Sequence, residues 1–302
     1  MKVLRNKFNP KFTKDSILVI GNFDGLHRGH ISILKEAYKV AKKNKLRLGL
    51  LTFEPNPKEF FSKDKNFKII NNEDKEKILS DLNLNYLIIM KFNKTLRNLS
   101  AEKFIDKILK KKINPSQITI GKEFKFGKNR LGNPNLLKNY FNIKIAKQKK
   151  IGRKKISSTL IRSYIQKGKI TEANNLLGRK WSISGNVVSG NKIGRTIGFR
   201  TANVFIKNFV QPLKGVYATK LQFNKKVYDG ISNYGVAPTF NKKKEIVLET
   251  HLFKPVKNLY KKNVKVDFFK FLRKEKKFVT KKNLSEQIKK DITIAKKVLK
   301  NV

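Results

Sequence analysis

The chain has 302 residues, no cysteine, and 71 Lys and Arg against 21 Asp and Glu, for a formal charge of +50. That length accommodates two domains, each with its own core. The missing thiols exclude disulfides and thiolate metal sites and make a reducing, cytoplasmic setting the expectation. No apolar run approaches the roughly 18 residues that span a bilayer, and the lysines are scattered along the chain while arginine is scarcer, so neither a membrane nor a dedicated nucleic-acid partner is expected.

In chain order, the apolar run Ser16-Ile17-Leu18-Val19-Ile20 reads as a strand. The turn Gly21-Asn22-Phe23-Asp24-Gly25-Leu26-His27-Arg28-Gly29-His30 and an amphipathic run over 31–41 follow it. Two of the three histidines therefore sit at a helix entrance, three residues apart and able to face one side. A helix N-terminus favours anions, and Gly21, Gly25 and Gly29 allow close approach around Asn22 and Phe23. A lone histidine there reads as a cap. The paired pattern reads instead as a nucleotidyl-transfer site, with His27 and His30 holding phosphates and stabilising charge at the transferring phosphorus.

Residues 46–53 form a second predicted strand, followed by a proline-bearing loop and a helix near 72–82. A strand over 86–90, a helix over 100–111 capped by Ser100, and a strand over 117–121 come next. This alternation predicts an α/β domain with a Rossmann-like parallel sheet and ligands at the carboxyl ends of its strands. Beyond the last of these strands, Glu123 and Phe124 bring a carboxylate and an aromatic, although core packing explains the phenylalanine equally well. The run Ser157-Ser158-Thr159-Leu160-Ile161-Arg162 reads either as a phosphate cradle or as a helix cap followed by a solvated arginine.

Two short helical runs over 157–177 lead to a change of texture, and the domain boundary is placed between 1–180 and 181–302. Short strands over 181–188, 215–223, 226–234, 246–252 and 264–272, with a helix over 284–299, predict a small antiparallel β-barrel with a closing helix. Gly190, Gly194 and Gly198 mark places where backbone meets ligand or turns sharply. Thr201 and Asn203 present oxygens on one face of an extended segment, a donor set for Mg²⁺ or else a turn cap. Glu249, sharing a strand face with His251, is placed to take a proton from a substrate hydroxyl or to pair with a lysine.

Ten segments in order (GNFDGLHRGH, TFEPNPKEF, GKEFKFGKNRLG, ISSTLIR, LLGR, GRTIGFRTAN, GVYAT, SNYGVAPTF, ETHLF and LRKEKKF) resemble the bacterial bifunctional riboflavin kinase/FAD synthetases over nearly the whole chain. The resemblance implies that the N-terminal domain joins the AMP of ATP to FMN and that the C-terminal barrel phosphorylates riboflavin to FMN. It assigns His27, His30, Asn22, Ser157, Ser158 and Arg162 to adenylyl transfer. Thr201 and Asn203 become kinase metal ligands, Glu249 the general base, and Arg273 a contact to flavin or to a loop over it. It further implies ATP as co-substrate, Mg²⁺ as the metal and riboflavin and FMN as the partners, and a monomer or weak oligomer is expected.

The chain departs from the family pattern in four places. Arg200 stands where the kinase motif usually has proline, leaving that loop freer. Asn56 replaces a frequent histidine, Glu123 a usual aspartate, and Lys261 a usual glycine. Three other readings stay open from sequence: an FAD synthetase whose barrel only binds flavin, an RNA-binding α/β module, and a ribosome-associated structural protein.

Overall fold

The computed structural model describes residues 1–62, 66–152, 154–189, 199, 201–236, 246–256 and 258–300. Gly190, Gly194, Gly198 and Arg200 lie outside the described residues. The chain divides into two compact units, Met1–Lys65 with Asn72–Ser157, and Asn66–Asn71 with Ser158–Val302.

The first unit runs β1 (Lys2–Arg5), α1 (Pro10–Thr13), β2 (Ser16–Ile20), α2 (Arg28–Lys43), β3 (Arg47–Glu54), α3 (Pro57–Phe61), α4 (Asn72–Ser80) and β4 (Tyr86–Lys91). It continues with α5 (Lys94–Arg97), α6 (Ala101–Phe104), β5 (Gln117–Gly121), α7 (Pro134–Lys138), β6 (Asn142–Ala146), β7 (Lys150–Ile151) and β8 (Lys154–Lys155). Strands β1 to β6 make one parallel sheet in the order β1-β4-β3-β2-β5-β6.

Every residue of β2 is buried, because crossover helices cover both faces of a parallel sheet. Ile17 and Val19 pack with Leu34, Ala37 and Ala41 of α2 on one face. Leu18 and Ile20 pack with Phe104, Ile105 and Leu109 on the other. The chain leaves β2 toward β3 and β4, then returns to place β5 on the opposite side of β2, so the carboxyl ends of β2 and β5 form the topological switch point.

Helix 100–111 of the sequence reading is α6, capped by Ser100 Oγ on Lys103 N at 3.2 Å, and continues as a π-helical stretch, Ile105–Ile113. Strands β1 and β6 and the β7–β8 hairpin were not anticipated. Strand β6 is mostly exposed and carries no apolar run, as an edge strand can.

The second unit adds α8 (Ser158–Gln166), α9 (Ile170–Leu177), β9 (Trp181–Val188), β10 (Thr201–Phe205), β11 (Gly215–Phe223), β12 (Lys226–Val236), β13 (Ile246–Leu252), β14 (Asn263–Arg273) and α10 (Lys281–Lys300). The six strands close an antiparallel barrel in the order β10-β13-β12-β11-β14-β9. Trp181, Tyr217, Tyr234 and Phe268 are among its largest fully buried side chains. Ala295 and Leu299 of α10 pack against Val216, Ala218 and Ile231. Strand β10 escaped the sequence reading as a strand, yet it pairs with both β13 and β9 and completes the closure.

The compact division also differs from the expected boundary at 180. Helices α8 and α9 cluster with the barrel because Asn174 ties them to it, its Oδ1 accepting from Trp181 N at 2.6 Å and its Nδ2 donating to Phe268 O at 2.9 Å. Residues 66–71 join the same unit through backbone. Phe67 N and Lys68 N donate to Asn208 O, Val210 N donates to Lys68 O, and Trp181 Nε1 donates to Ile69 O. A segment so remote in sequence carries no local signal of that pairing.

Candidate functional site

At the switch point, Gly21 N donates to Leu51 O at 3.1 Å and the chain turns sharply. Phe23, Gly25 and Leu26 all hold positive φ, at 48°, 77° and 40°. For phenylalanine and leucine that backbone is strained, and it is held by burying both side chains, which are 3% and 0% exposed. His27 is the N-cap of α2, its Nδ1 accepting from His30 N at 3.2 Å. An imidazole that accepts at Nδ1 carries its neutral-state proton on Nε2.

The His27 and His30 rings stack at 3.6 Å between centroids and 15° between planes, with Phe23 4.7 Å from His30. A Cβ on Gly29 would sit 3.1 Å from the His27 ring, so glycine there leaves the imidazole its place. Two stacked imidazoles thus crown the N-terminus of a 16-residue helix that has no acidic residue in its first turn. That is a site for polyphosphate charge.

Sequence reasoning missed two features of this region. Lys75 of α4 donates from Nζ to Asn22 O at 2.9 Å and to Thr52 Oγ1 at 3.0 Å. Phe53, Phe60, Phe61 and Phe92 form an edge-to-face aromatic cluster at the carboxyl ends of β3 and β4, with Phe61 58% exposed. Their convergence depends on strand order, which places the ends of β3 and β4 side by side. Asn56, the departure from histidine, caps α3: its side chain accepts from Lys58 N at 3.0 Å and Glu59 closes a capping box.

Glu123 is exposed and accepts from Lys155 Nζ at 2.5 Å, and that bond and charge hold its carboxyl below the usual range. Phe124 stacks on Phe126 at 5.6 Å and packs against the sheet core. Ser157 ends the first unit, whereas Ser158 and Arg162 belong to the second. Arg162 Nε donates to Phe67 O at 2.9 Å, and its guanidinium lies 3.6 Å from the Phe67 ring centroid.

On the barrel, Thr201 and Asn203 of β10 stand opposite His251 and Glu249 of β13, and Glu249 stands opposite Asn233 of β12. Asn203 is 7% exposed, and its Oδ1 has no hydrogen-bond partner among the described residues. An orphaned buried carbonyl oxygen beside a threonine hydroxyl and a carboxylate suits a hard cation. Burial, and after it the charge of Glu275, push the Glu249 carboxyl above its ordinary value. Glu275 lies over Gly235, where any Cβ would collide with its carboxylate, and accepts from Asn233 Nδ2 at 3.4 Å.

Arg273, expected at flavin or at a loop over it, donates from Nη1 to Lys274 O at 3.0 Å and is also paired with α10. Its Nε and Nη2 donate to Asp291 Oδ1 and Oδ2 at 2.9 and 2.8 Å, and Gln287 of α10 also donates to Asp291. With Asp291 2% exposed, this pair fixes α10 to β14. Asp291→Ala strands the guanidinium and is expected to destabilise the barrel by about 3 kcal/mol, read from the denaturation midpoint. A shift under about 0.5 kcal/mol would contradict the clamp.

The described geometry has clear relatives. The family model for FAD synthetase matches residues 9–160, and that for riboflavin kinase matches residues 177–299. A protein of Buchnera aphidicola subsp. Schizaphis graminum named bifunctional riboflavin kinase/FMN adenylyltransferase is 42% identical over 98% of each chain. The Bacillus subtilis protein of that name is 36% identical over 91% of this chain and 90% of its own. A crystal structure described as a macrolide-efflux protein from Streptococcus pneumoniae superposes with a TM-score of 0.88 at 30% identity, covering 98% of this chain and 99% of that one. With both models matched in chain order and relatives aligned nearly end to end, the chain belongs to the family of bifunctional riboflavin kinase/FMN adenylyltransferases.

Proposed function

We propose a division of labour in which residues 1–180 carry FMN adenylylation and residues 181–302 carry riboflavin phosphorylation. The observation that carries it is the His27–His30 stack on the helix entrance at the sheet's switch point. In the first reaction, a phosphate oxygen of FMN attacks the α-phosphorus of ATP and the bond to the β-phosphate breaks, giving FAD and pyrophosphate. His27 and His30 stabilise the charge on the phosphates as it redistributes, His27 through its Nε2–H donor.

Gly21, Asn22, Phe23, Gly25 and Gly29 shape the approach. Ser157, Ser158 and Arg162 are assigned to the triphosphate on the sequence resemblance. The aromatic faces of Phe60, Phe61 and Phe92 suit the isoalloxazine ring. They have better support in that role than Glu123, which is ion-paired, or Phe124, which packs on the core.

In the second reaction, Glu249 takes the proton of the ribityl 5′-hydroxyl as its oxygen attacks the γ-phosphorus of ATP, and ADP leaves. Thr201 and Asn203 would hold Mg²⁺, which supplies charge neutralisation on the transferred phosphoryl group. Among the described residues no group of three or more His or carboxylate side chains is placed to hold a metal. A cytoplasmic setting, where ATP is abundant, completes the proposal. Among the described residues no helix is long and apolar enough to cross a membrane.

The test is a chromatographic product assay with riboflavin, ATP and Mg²⁺. FMN followed by FAD is expected, and excess EDTA is expected to stop FMN formation. FAD made only when FMN is supplied would reduce the barrel to a flavin-binding module. Turnover of neither flavin would overturn the proposal.

A further inference from the structure

Lys75 stands far from the glycine turn in sequence and meets it in space. Helix α4 projects its ammonium to the carboxyl ends of β2 and β3, where Nζ donates to Asn22 O and to Thr52 Oγ1. Thr52 is 2% exposed, and its hydroxyl donates to the same Asn22 oxygen at 3.0 Å. One main-chain carbonyl is thus gripped by a cation and a buried hydroxyl, which are themselves bonded to each other.

The position of that carbonyl constrains the backbone after it. In a trans peptide the C=O and the next N–H point in opposite directions. Anchoring Asn22 O therefore sets the peptide plane from which Phe23 departs with φ of 48°. A bulky residue keeps such a backbone only where its surroundings over-determine it. The Phe23 ring in turn lies 4.7 Å from His30, which stacks on His27 at 3.6 Å. The line of contact runs from Lys75 and Thr52 through one carbonyl and one strained residue to both imidazoles.

We propose that Lys75 is a positioning residue for adenylyl transfer: with Thr52 it locks the Asn22–Phe23 peptide so that Phe23 holds the His27–His30 pair in its reactive arrangement. This rests on the assignment of that pair to FAD formation. Lys75 acts through the turn, so its removal lowers turnover more than substrate binding. Thr52 still satisfies the Asn22 carbonyl once Lys75 is gone, so the fold survives the change.

The experiment measures FAD formation from FMN and ATP in the full chain for Lys75→Met, Lys75→Arg, Thr52→Val, the Lys75→Met/Thr52→Val double variant and His30→Ala. Lys75→Met is expected to lower kcat about 10- to 100-fold, the scale of a small misplacement of reacting groups. KM for ATP should stay within about twofold, and the melting temperature within a few degrees. Lys75→Arg should recover much of the rate. The double variant should lose far less than the product of the two single losses, as partners in one network do.

A rise in KM at unchanged kcat would make Lys75 a direct phosphate ligand and overturn the proposal. Wild-type kcat per folded molecule with a lowered melting temperature would make it merely structural and overturn it equally. If His30→Ala loses FAD formation while Lys75→Met keeps it, the inference about Lys75 fails alone. If His30→Ala keeps it, the assignment of the histidine pair fails and the inference falls with it.

Discussion

His30→Ala is expected to lower FAD formation from FMN by about 100-fold or more while riboflavin is still converted to FMN at the wild-type rate. The variant is a clean one for a structural reason. His27 Nδ1 accepts from the backbone N–H of residue 30, which alanine retains, so the helix cap and the tautomer of His27 persist. What disappears is one imidazole, along with its stacking on His27 and its contact with Phe23. His27→Ala would be less informative, since it also deletes a cap worth about 0.5–2 kcal/mol. Riboflavin phosphorylation in the same chain reports on the barrel, and a thermal melt reports on the first unit. FAD formation that survives His30→Ala would end the nucleotidyl-transfer reading of the histidine pair. Loss of both activities in a folded variant would end the division of labour.

Much of this architecture was readable because its signals are local. Strand β2 announces itself by five buried residues in a row, and β5, β9, β11 and β13 begin and end where the apolar and glycine pattern placed them. Ser100 caps the predicted helix because its hydroxyl meets a nearby N–H. What escaped the reading depends on partners distant in sequence. Strand β10 is extended because β13 and β9 flank it, and residues 66–71 leave the first unit because Asn208 and Trp181 supply their hydrogen bonds.

The same distinction runs through the site residues. The stacked histidines lie three residues apart, a spacing from which both were expected to face one side of a helix entrance. Lys75 meets Asn22 only through the packing of α4, and one lysine among so many carries no pattern of its own. Arg273 shows the converse case. Its motif was legible, but its partner Asp291 sits on α10, and only the fold reveals that the guanidinium is engaged there.

The barrel offers an equally sharp test. Glu249→Gln is expected to lower FMN formation by about 10²- to 10⁴-fold, the usual range for losing a general base, while added FMN is still converted to FAD. Glutamine keeps the length and most of the shape of the side chain but cannot take a proton from a hydroxyl. The carboxylate is well placed to accept one, because burial and the neighbouring Glu275 charge raise its proton affinity above that of an ordinary carboxylate. Those same influences work against stability, because a half-buried charge lies close to a like charge. Removing it should leave the melting temperature unchanged or raise it, the pattern of a residue kept for chemistry rather than for folding. Unfolding then cannot account for the lost activity, and the Asn203 oxygen and the Arg273–Asp291 clamp are left as they were. FMN formation within a few-fold of wild type in the glutamine variant would assign the proton to another acceptor. A fall in melting temperature comparable to that of Asp291→Ala would instead show that Glu249 serves the barrel and not the reaction.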